Sequence, residues 1–159
     1  MPLQGEGSGQ MFSGVFQHSI DAKGRTSLPA HFRELLSAQG AEKLFITPDL
    51  IDPCLVAFAP SAWERLAEKV AAKSMFDRDI RLLSRAFIAP AQECPVDKLG
   101  RILIPPSLRE HAGLVEEITW AGTVERIEIW TPQRWAEVQK AARAQETPQE
   151  LARRLSELL

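Results

Sequence analysis

The chain spells one short stretch twice. Residues 21–34 read DAKGRTSLPAHFRE and residues 97–110 read DKLGRILIPPSLRE, aligned without a gap at an offset of 76 residues. The copies share Asp21/Asp97, Gly24/Gly100, Arg25/Arg101, Pro29/Pro105, Arg33/Arg109 and Glu34/Glu110, with Leu28 matched by Ile104 and Phe32 by Leu108. So dense a match at one register is internal duplication. A duplicated chain of 159 residues folds as one compact unit or as two small halves. With 45% hydrophobic residues it buries a core without disulfides or metals.

The local pattern around each copy is the same. MFSGVFQHSI (11–20) is rich in Phe, Val and Ile and reads as a strand. In the turn that follows, the Asp21 carboxylate caps backbone N–H groups two residues on. Gly24 takes the positive φ that closes a bulged hairpin loop. Arg25–Leu28 is the return strand, ended by Pro29, and 30–36 is helical with Phe32, Leu35 and Leu36 facing a core. Gly40 reads as its C′ residue. KLFITPDLIDPCLVAFAP (43–60) reads as two strands around a Pro/Asp turn. Ser61–Glu64 reads as a capping box opening a helix with Trp63, Leu66, Ala67 and Val70 on one face. A further amphipathic segment over 75–84 carries Met75, Phe76, Ile80 and Leu83.

The second half restates the first. RAFIAPAQECPV (85–96) reads as a strand region, DKLG as the turn shaped by Asp97 and Gly100, RILI as the strand and SLREHAGL as the short helix. Residues 116–132 form the second hairpin, matched to the first through Phe58/Trp130, Pro60/Pro132 and Trp63/Trp135, and 132–144 is helical. Those pairs sit at an offset of 72, so four residues are lost between the landmarks, as in a shortened loop. Thr147–Glu150 reads as a capping box with Pro148 at N1. It opens a helix with a stripe of Leu151, Leu155, Leu158 and Leu159, too short to stand alone. Residues 1–10 read as a flexible leader, without the basic and apolar regions of a secretory signal. The expected architecture is therefore α+β with a mostly β core, each half running ββ-α-ββ-α, plus a C-terminal helix. The divisions are 11–60 and 85–131 for the modules, 61–84 for connecting helices and 132–159 for the C-terminal helices. No βαβ pattern with Gly-rich turns is present, which disfavours a doubly wound nucleotide-binding sheet.

The catalytic readings are weak. Asp21 and Asp97 are a symmetric carboxylate pair, but an Arg four residues on keeps each ionised, so turn-capping outweighs acid–base work. His18, His31 and His111 lack metal-ligand spacing, and Cys54 and Cys94 are isolated thiols suited to a reduced core. There is no GxSxG, no phosphate-cradling Gly loop and no Walker-type Lys. We expect no catalytic residue, metal or cofactor, and core packing for Trp63, Trp120, Trp130 and Trp135. Nowhere is an apolar run long enough to span a bilayer, so a soluble cytoplasmic protein is expected.

Lys23, Arg25, Lys98 and Arg101 remain. Each Arg could simply clasp its own Asp, but that leaves Lys23 and Lys98 at loop tips, where binding residues usually lie. The chain is acidic, with net charge −2 and pI near 6.0, whereas residues 14–36 and 97–111 each carry a net +1. So few cations per chain grip phosphates weakly at cellular salt; a symmetric oligomer multiplies them by avidity.

MFSGVFQHSIDAKGRTSLPAHFRE resembles the opening of the MraZ family of bacterial transcriptional regulators, and DKLGRILIPP its second D-x-x-x-R motif. The resemblance runs from Met11 to the second hairpin. It implies tandem AbrB-like (swapped-hairpin) modules related by a pseudo-two-fold, assembled into a ring-shaped homo-oligomer. It also implies a nucleoid-associated regulator of the division and cell wall gene cluster, bound to short direct repeats of double-stranded DNA upstream of its own gene. The DNA-facing loops then carry over onto Asp21, Lys23 and Arg25, and onto Asp97 and Arg101. The first-half Lys of the family falls on Lys23; the second half has Leu99 there and its Lys one place earlier, at Lys98. Ser13 stands where relatives often carry a basic residue. An alternative of a different class is a protein-interaction module such as an AbrB-fold antitoxin.

Overall fold

The computed structural model describes residues 11–145 and 147–159; the expected leader over 1–10 lies outside the described residues. The first half runs β1 (Phe12–Ser19), β2 (Arg25–Ser27), α1 (Ala30–Ala38), β3 (Lys43–Pro48), β4 (Leu55–Phe58) and α2 (Pro60–Ala71). A short α3 (Arg78–Leu83) passes into a π-helical turn over Ser84–Ile88. The second half repeats the order as β5 (Gln92–Pro95), β6 (Arg101–Leu103), α4 (Pro106–Ala112), β7 (Glu117–Val124), β8 (Arg126–Trp130) and α5 (Pro132–Gln145), and α6 (Pro148–Leu158) follows.

The halves interleave. One antiparallel sheet is ordered β1-β7-β8-β4-β3-β5, and a separate ribbon pairs β2 with β6. Each half's first strand therefore lies on the other half's hairpin: β1 runs along β7 from Phe12↔Val124 to Ser19↔Glu117, and β5 along β3. The hairpin expected between β1 and β2 reduces to the single bridge Ile20↔Thr26, because β2 turns away to meet β6. The sheet order reads the same from either edge once β1 is exchanged with β5, β7 with β3 and β8 with β4. A pseudo-two-fold thus relates the halves, passing through the pairs Thr26↔Ile102 and Val56↔Glu128.

The central strand β4 is buried on both sides, and its alternation separates two apolar layers. Leu55 and Ala57 join Phe32, Leu36, Leu108 and Ala112 of α1 and α4, together with Ile102 and Ile104 beneath the ribbon. Val56 and Phe58 join Trp63 and Phe87 on the other face. Each large side chain so buried stabilises the fold by about 1.5–3 kcal/mol relative to exposure. Trp63 stacks on Phe45 with ring centroids 5.5 Å apart, Trp120 and Trp130 are buried, and half-buried Trp135 meets Trp130 edge-on. Trp63, Trp120 and Trp130 are core residues, whereas Trp135 packs at the edge of Trp130 and is partly exposed. Cys54 and Cys94 are buried free thiols; burial pushes the Cys94 thiol up to about 12 and Cys54 higher still.

Four local expectations are corrected. α2 starts at Pro60, whose fixed φ suits the first helical position, so Ser61 sits inside the first turn and caps nothing. Its hydroxyl instead donates to Gln39 Oε1 at 3.1 Å. The helix expected from residue 75 begins at Arg78, because the Asp77 carboxylate accepts from the N–H groups of Asp79 and Ile80. Met75 and Phe76 are left exposed, Phe76 at 94%. The strand expected over 85–96 shrinks to Gln92–Pro95. Ser84 donates its hydroxyl to Ile80 O, the helix widens, and it runs on to Ile88 before Pro90 stops it. At α6 only half of the capping box forms. Thr147 Oγ1 accepts from Glu150 N–H, but the Glu150 carboxylate turns to Arg153 and Arg154.

Candidate nucleic-acid interface

Each copy of the repeat builds the same clasp. Asp21 Oδ1 accepts from the N–H groups of Lys23 (3.0 Å) and Arg25 (2.9 Å), while Oδ2 takes Arg25 Nε–H at 2.9 Å. Asp97 Oδ1 accepts from Leu99 (2.9 Å) and Arg101 (2.8 Å), and Oδ2 takes Arg101 Nε–H at 3.0 Å. The backbone closes each loop identically, with Gly24 N–H on Asp21 O and Gly100 N–H on Asp97 O. Gly24 and Gly100 hold φ of +95° and +78°, a region that L side chains rarely adopt. The backbone N–H of Arg25, then its guanidinium, holds the Asp21 carboxyl below the ordinary carboxylate value, and Arg101 does the same for Asp97. Ionised and committed, these aspartates shape turns.

The clasp and the binding reading prove compatible. Only Nε of each Arg is used, so the two Nη groups at each tip make no hydrogen bond among the described residues. The ribbon then puts both arginines on one side. Its register is Arg25↔Leu103, Thr26↔Ile102 and Ser27↔Arg101. Thr26 and Ile102 point into the core, which leaves Arg25, Ser27, Arg101 and Leu103 on the outer face. Arg25 and Arg101 are diagonal neighbours, with about 7–8 Å between positions. Lys23 and Lys98 stand exposed in the flanking turns. All four predicted basic residues thus lie on the β2·β6 ribbon or in the turns that lead into it.

Two further residues belong to this construction. Arg109 of α4 reaches beneath the first-half turn, donating Nε–H to Ile104 O at 2.9 Å and Nη1–H to Ala22 O at 3.4 Å. A Cβ on Gly24 would lie 2.6 Å from both Arg109 Nε and Ile104 O. Arg33 of α1 crosses the other way, packed against Gly100. The backbones cross-link too, Ile104 N–H on Gly24 O at 2.8 Å and Leu28 N–H on Gly100 O at 2.9 Å. Arg33/Arg109 belong to the repeat, but nothing in sequence shows that each serves the opposite half.

Other chemistry lies elsewhere. His18 Nδ1 bonds Ser27 O at 2.6 Å, His31 sits by the Phe16 ring, and His111 is exposed. Among the described residues no group of three or more His, Cys, Asp or Glu is placed to hold a metal, and no helix is long and apolar enough to cross a membrane. A cavity of about 470 Å³ opens on the other face of the sheet, between α2, the β3–β4 loop and the β7–β8 turn, and includes none of the ribbon residues.

The architecture defines a class: a pseudo-symmetric α+β protein holding out paired arginines from a rigid two-stranded ribbon. The chain belongs to the MraZ family. That family, described as "MraZ protein, putative antitoxin-like", matches residues 11–86 and again 87–157, two copies whose starts are separated by the repeat offset. The chain is 42% identical over 149 residues to the protein named Transcriptional regulator MraZ of Thermomicrobium roseum, covering 94% of this chain and all of that one. It is 41% identical over 132 residues to the protein of that name from Heliobacterium modesticaldum, covering 83% and 89%. For the Photorhabdus laumondii protein the identity is 36% over 150 residues, covering 93% and 99%.

Proposed function

We propose that this chain is a double-stranded DNA-binding transcription regulator that lays the β2·β6 ribbon in the major groove, with Lys23, Arg25, Lys98 and Arg101 as its DNA contacts. The observation that carries this is the pair of clasped arginines on one exposed ribbon face. A B-DNA major groove about 12 Å wide admits a two-stranded ribbon, and Arg Nη groups match guanine O6 and N7. The names of the relatives, all transcriptional regulators, agree with it.

The finer reading is a cytoplasmic, nucleoid-associated ring of identical subunits on short direct repeats upstream of its own gene, controlling the division and cell wall gene cluster. Two AbrB-like swapped-hairpin modules, centred on 11–60 and 85–131, are supported by the exchange of β1 and β5 and by the β2·β6 pairing. A ring answers the charge problem, since a chain of net −2 offers few cations alone. Direct repeats suit a ribbon whose two ends differ: Lys23 at one tip is Leu99 at the other.

The test is a gel-shift on DNA from upstream of the gene across a salt series. Arg25→Ala should weaken binding about 10- to 100-fold, with Lys23→Ala and Arg101→Ala weaker by less, and none should unfold. If Arg25→Ala binds as tightly as the parent at moderate salt, the interface is misassigned. An antitoxin-like module is the second reading, favoured only by the wording of the family description. It requires a small partner that co-purifies in stoichiometric amount.

A further inference from the structure

The outer face of the ribbon is not wholly polar. Leu103 lies directly across from Arg25 and is 49% exposed, and Leu99, at the tip of the second turn, is 70% exposed. A lone exposed Leu is ordinary; the company of these two is not. The pseudo-two-fold that carries Arg25 onto Arg101 carries Ser27 onto Leu103 and Lys23 onto Leu99. At the same two places, then, the first half presents a hydroxyl and a cation and the second half two isobutyl groups. Core packing does not account for Leu103, because inward positions on this strand belong to Ile102 and Ile104.

We propose that Leu103, flanked by Leu99, reads the C5-methyl group of thymine beside the base pair that Arg25 contacts. This rests on the DNA-binding reading above. The thymine methyl is the one apolar group that base pairs display in the major groove. Leu103 and Arg25 are direct cross-strand neighbours, about 4.5–5.5 Å apart, which is between one and two base-pair steps of about 3.4 Å. The Arg25 guanidinium is fixed by Asp21, so the base it addresses sets where the Leu103 side chain falls. The ribbon thereby acquires a direction, with a phosphate-seeking Lys23 at one end and a methyl-seeking pair at the other. The element it prefers is non-palindromic, with thymine close to guanine.

The test compares duplexes from upstream of the gene carrying thymine or deoxyuracil, which differ only by the methyl. The parent, Leu103→Ala, Leu103→Ser and Arg25→Ala are titrated, each shown folded by its thermal melt. The parent should bind the uracil duplex about four- to fifteenfold more weakly, the worth of one or two buried methyl groups. Leu103→Ala and Leu103→Ser should bind the two duplexes equally, while Arg25→Ala should keep the preference at lower affinity. Any change in duplex shape from uracil would persist in the Leu103 variants, so the cycle isolates the contact. Equal binding of both duplexes by the parent, or a preference that survives in Leu103→Ala, overturns the assignment and leaves the DNA-binding reading standing. No binding of either duplex by the parent removes both.

Discussion

The turn at 21–25 and the turn at 97–101 share each clasp hydrogen bond from Asp to backbone and from Asp to Arg Nε, and differ in what they hold out to solvent. The common part is Asp, Gly and Arg; the variable part is Ala22-Lys23 against Lys98-Leu99. Duplication fixed a backbone that both halves need, because each turn is braced by the opposite half: Gly24 O accepts from Ile104 and Gly100 O from Leu28. The tip side chains stand exposed, held by the fold only through their backbone, and were free to diverge. The shared Asp and Gly hold the turns, and under the proposed function the divergent tips add to what the shared arginines meet.

The largest expected effect breaks the common part, and breaks it unequally. Gly24→Ala places a Cβ 2.6 Å from a backbone carbonyl, Ile104 O, at a φ of +95°. We expect a loss of about 3 kcal/mol or more, a fall in Tm of about 6–12 °C. At Gly100 the three atoms nearest an added Cβ all belong to the Arg33 side chain, which can swing away, so for Gly100→Ala about 1–3 kcal/mol of strain remains. Thermal or urea denaturation of the two variants checks the order; equal losses would mean that the brace from Ile104 is not what limits the first turn.

Next come the crossing arginines. The Arg109 side chain donates to Ile104 O and Ala22 O, whereas the Arg33 side chain makes no hydrogen bond among the described residues and only packs against Gly100. Arg109→Ala should cost about 1–2 kcal/mol and Arg33→Ala less. The sharper readout is hydrogen exchange. Removing Arg109 should speed exchange of the amides in 21–25, in the opposite half, more than of those in 97–101.

How far the sequence reached follows the same division between local and long-range. Asp, Gly and Arg at fixed spacing dictate a turn by bonds within five residues, so the turns at 21–25 and 97–101 are legible in the sequence. The partner of β2 is not. Arg25–Ser27 is three residues long, carries no usable periodicity, and pairs with a strand 76 residues away in its repeat. The same distance hid Arg33 and Arg109, whose identity was visible and whose target was not. Phe87 and Ile88 read as strand in the sequence because a short apolar run is ambiguous between strand and helix. The decision fell to Ser84 and Pro90, which together make a widened helical turn.

Exchanging the tips sharpens the comparison at smaller cost. Leu99→Lys puts a cation where the first half has Lys23, on an exposed position that bears on no core. On upstream DNA it should steepen the slope of log K against log salt by about 1, and Lys23→Leu should flatten it by a similar amount. Unchanged slopes in both variants would mean that neither tip reaches a phosphate.

The smallest effect tests the clasps by acid. Asp21 and Asp97 ionise more readily in the folded chain than at their ordinary value of 3.8, chiefly because the N–H groups of Arg25 and Arg101 bond the carboxylate. Below that value the unfolded chain takes up protons that the folded chain refuses. The stabilisation is therefore complete above 3.8 and is lost as pH falls through the lower folded values. Both groups are exposed, so the loss is modest. Asp21→Asn with Asp97→Asn keeps an oxygen for the backbone N–H groups and removes the charge. In urea titrations below pH 4 the double variant should lose less stability on acidification than the parent. Since the two clasps share one geometry, either single variant should account for about half of that difference; a split far from even would show that the turns differ in the clasp as well as at the tip.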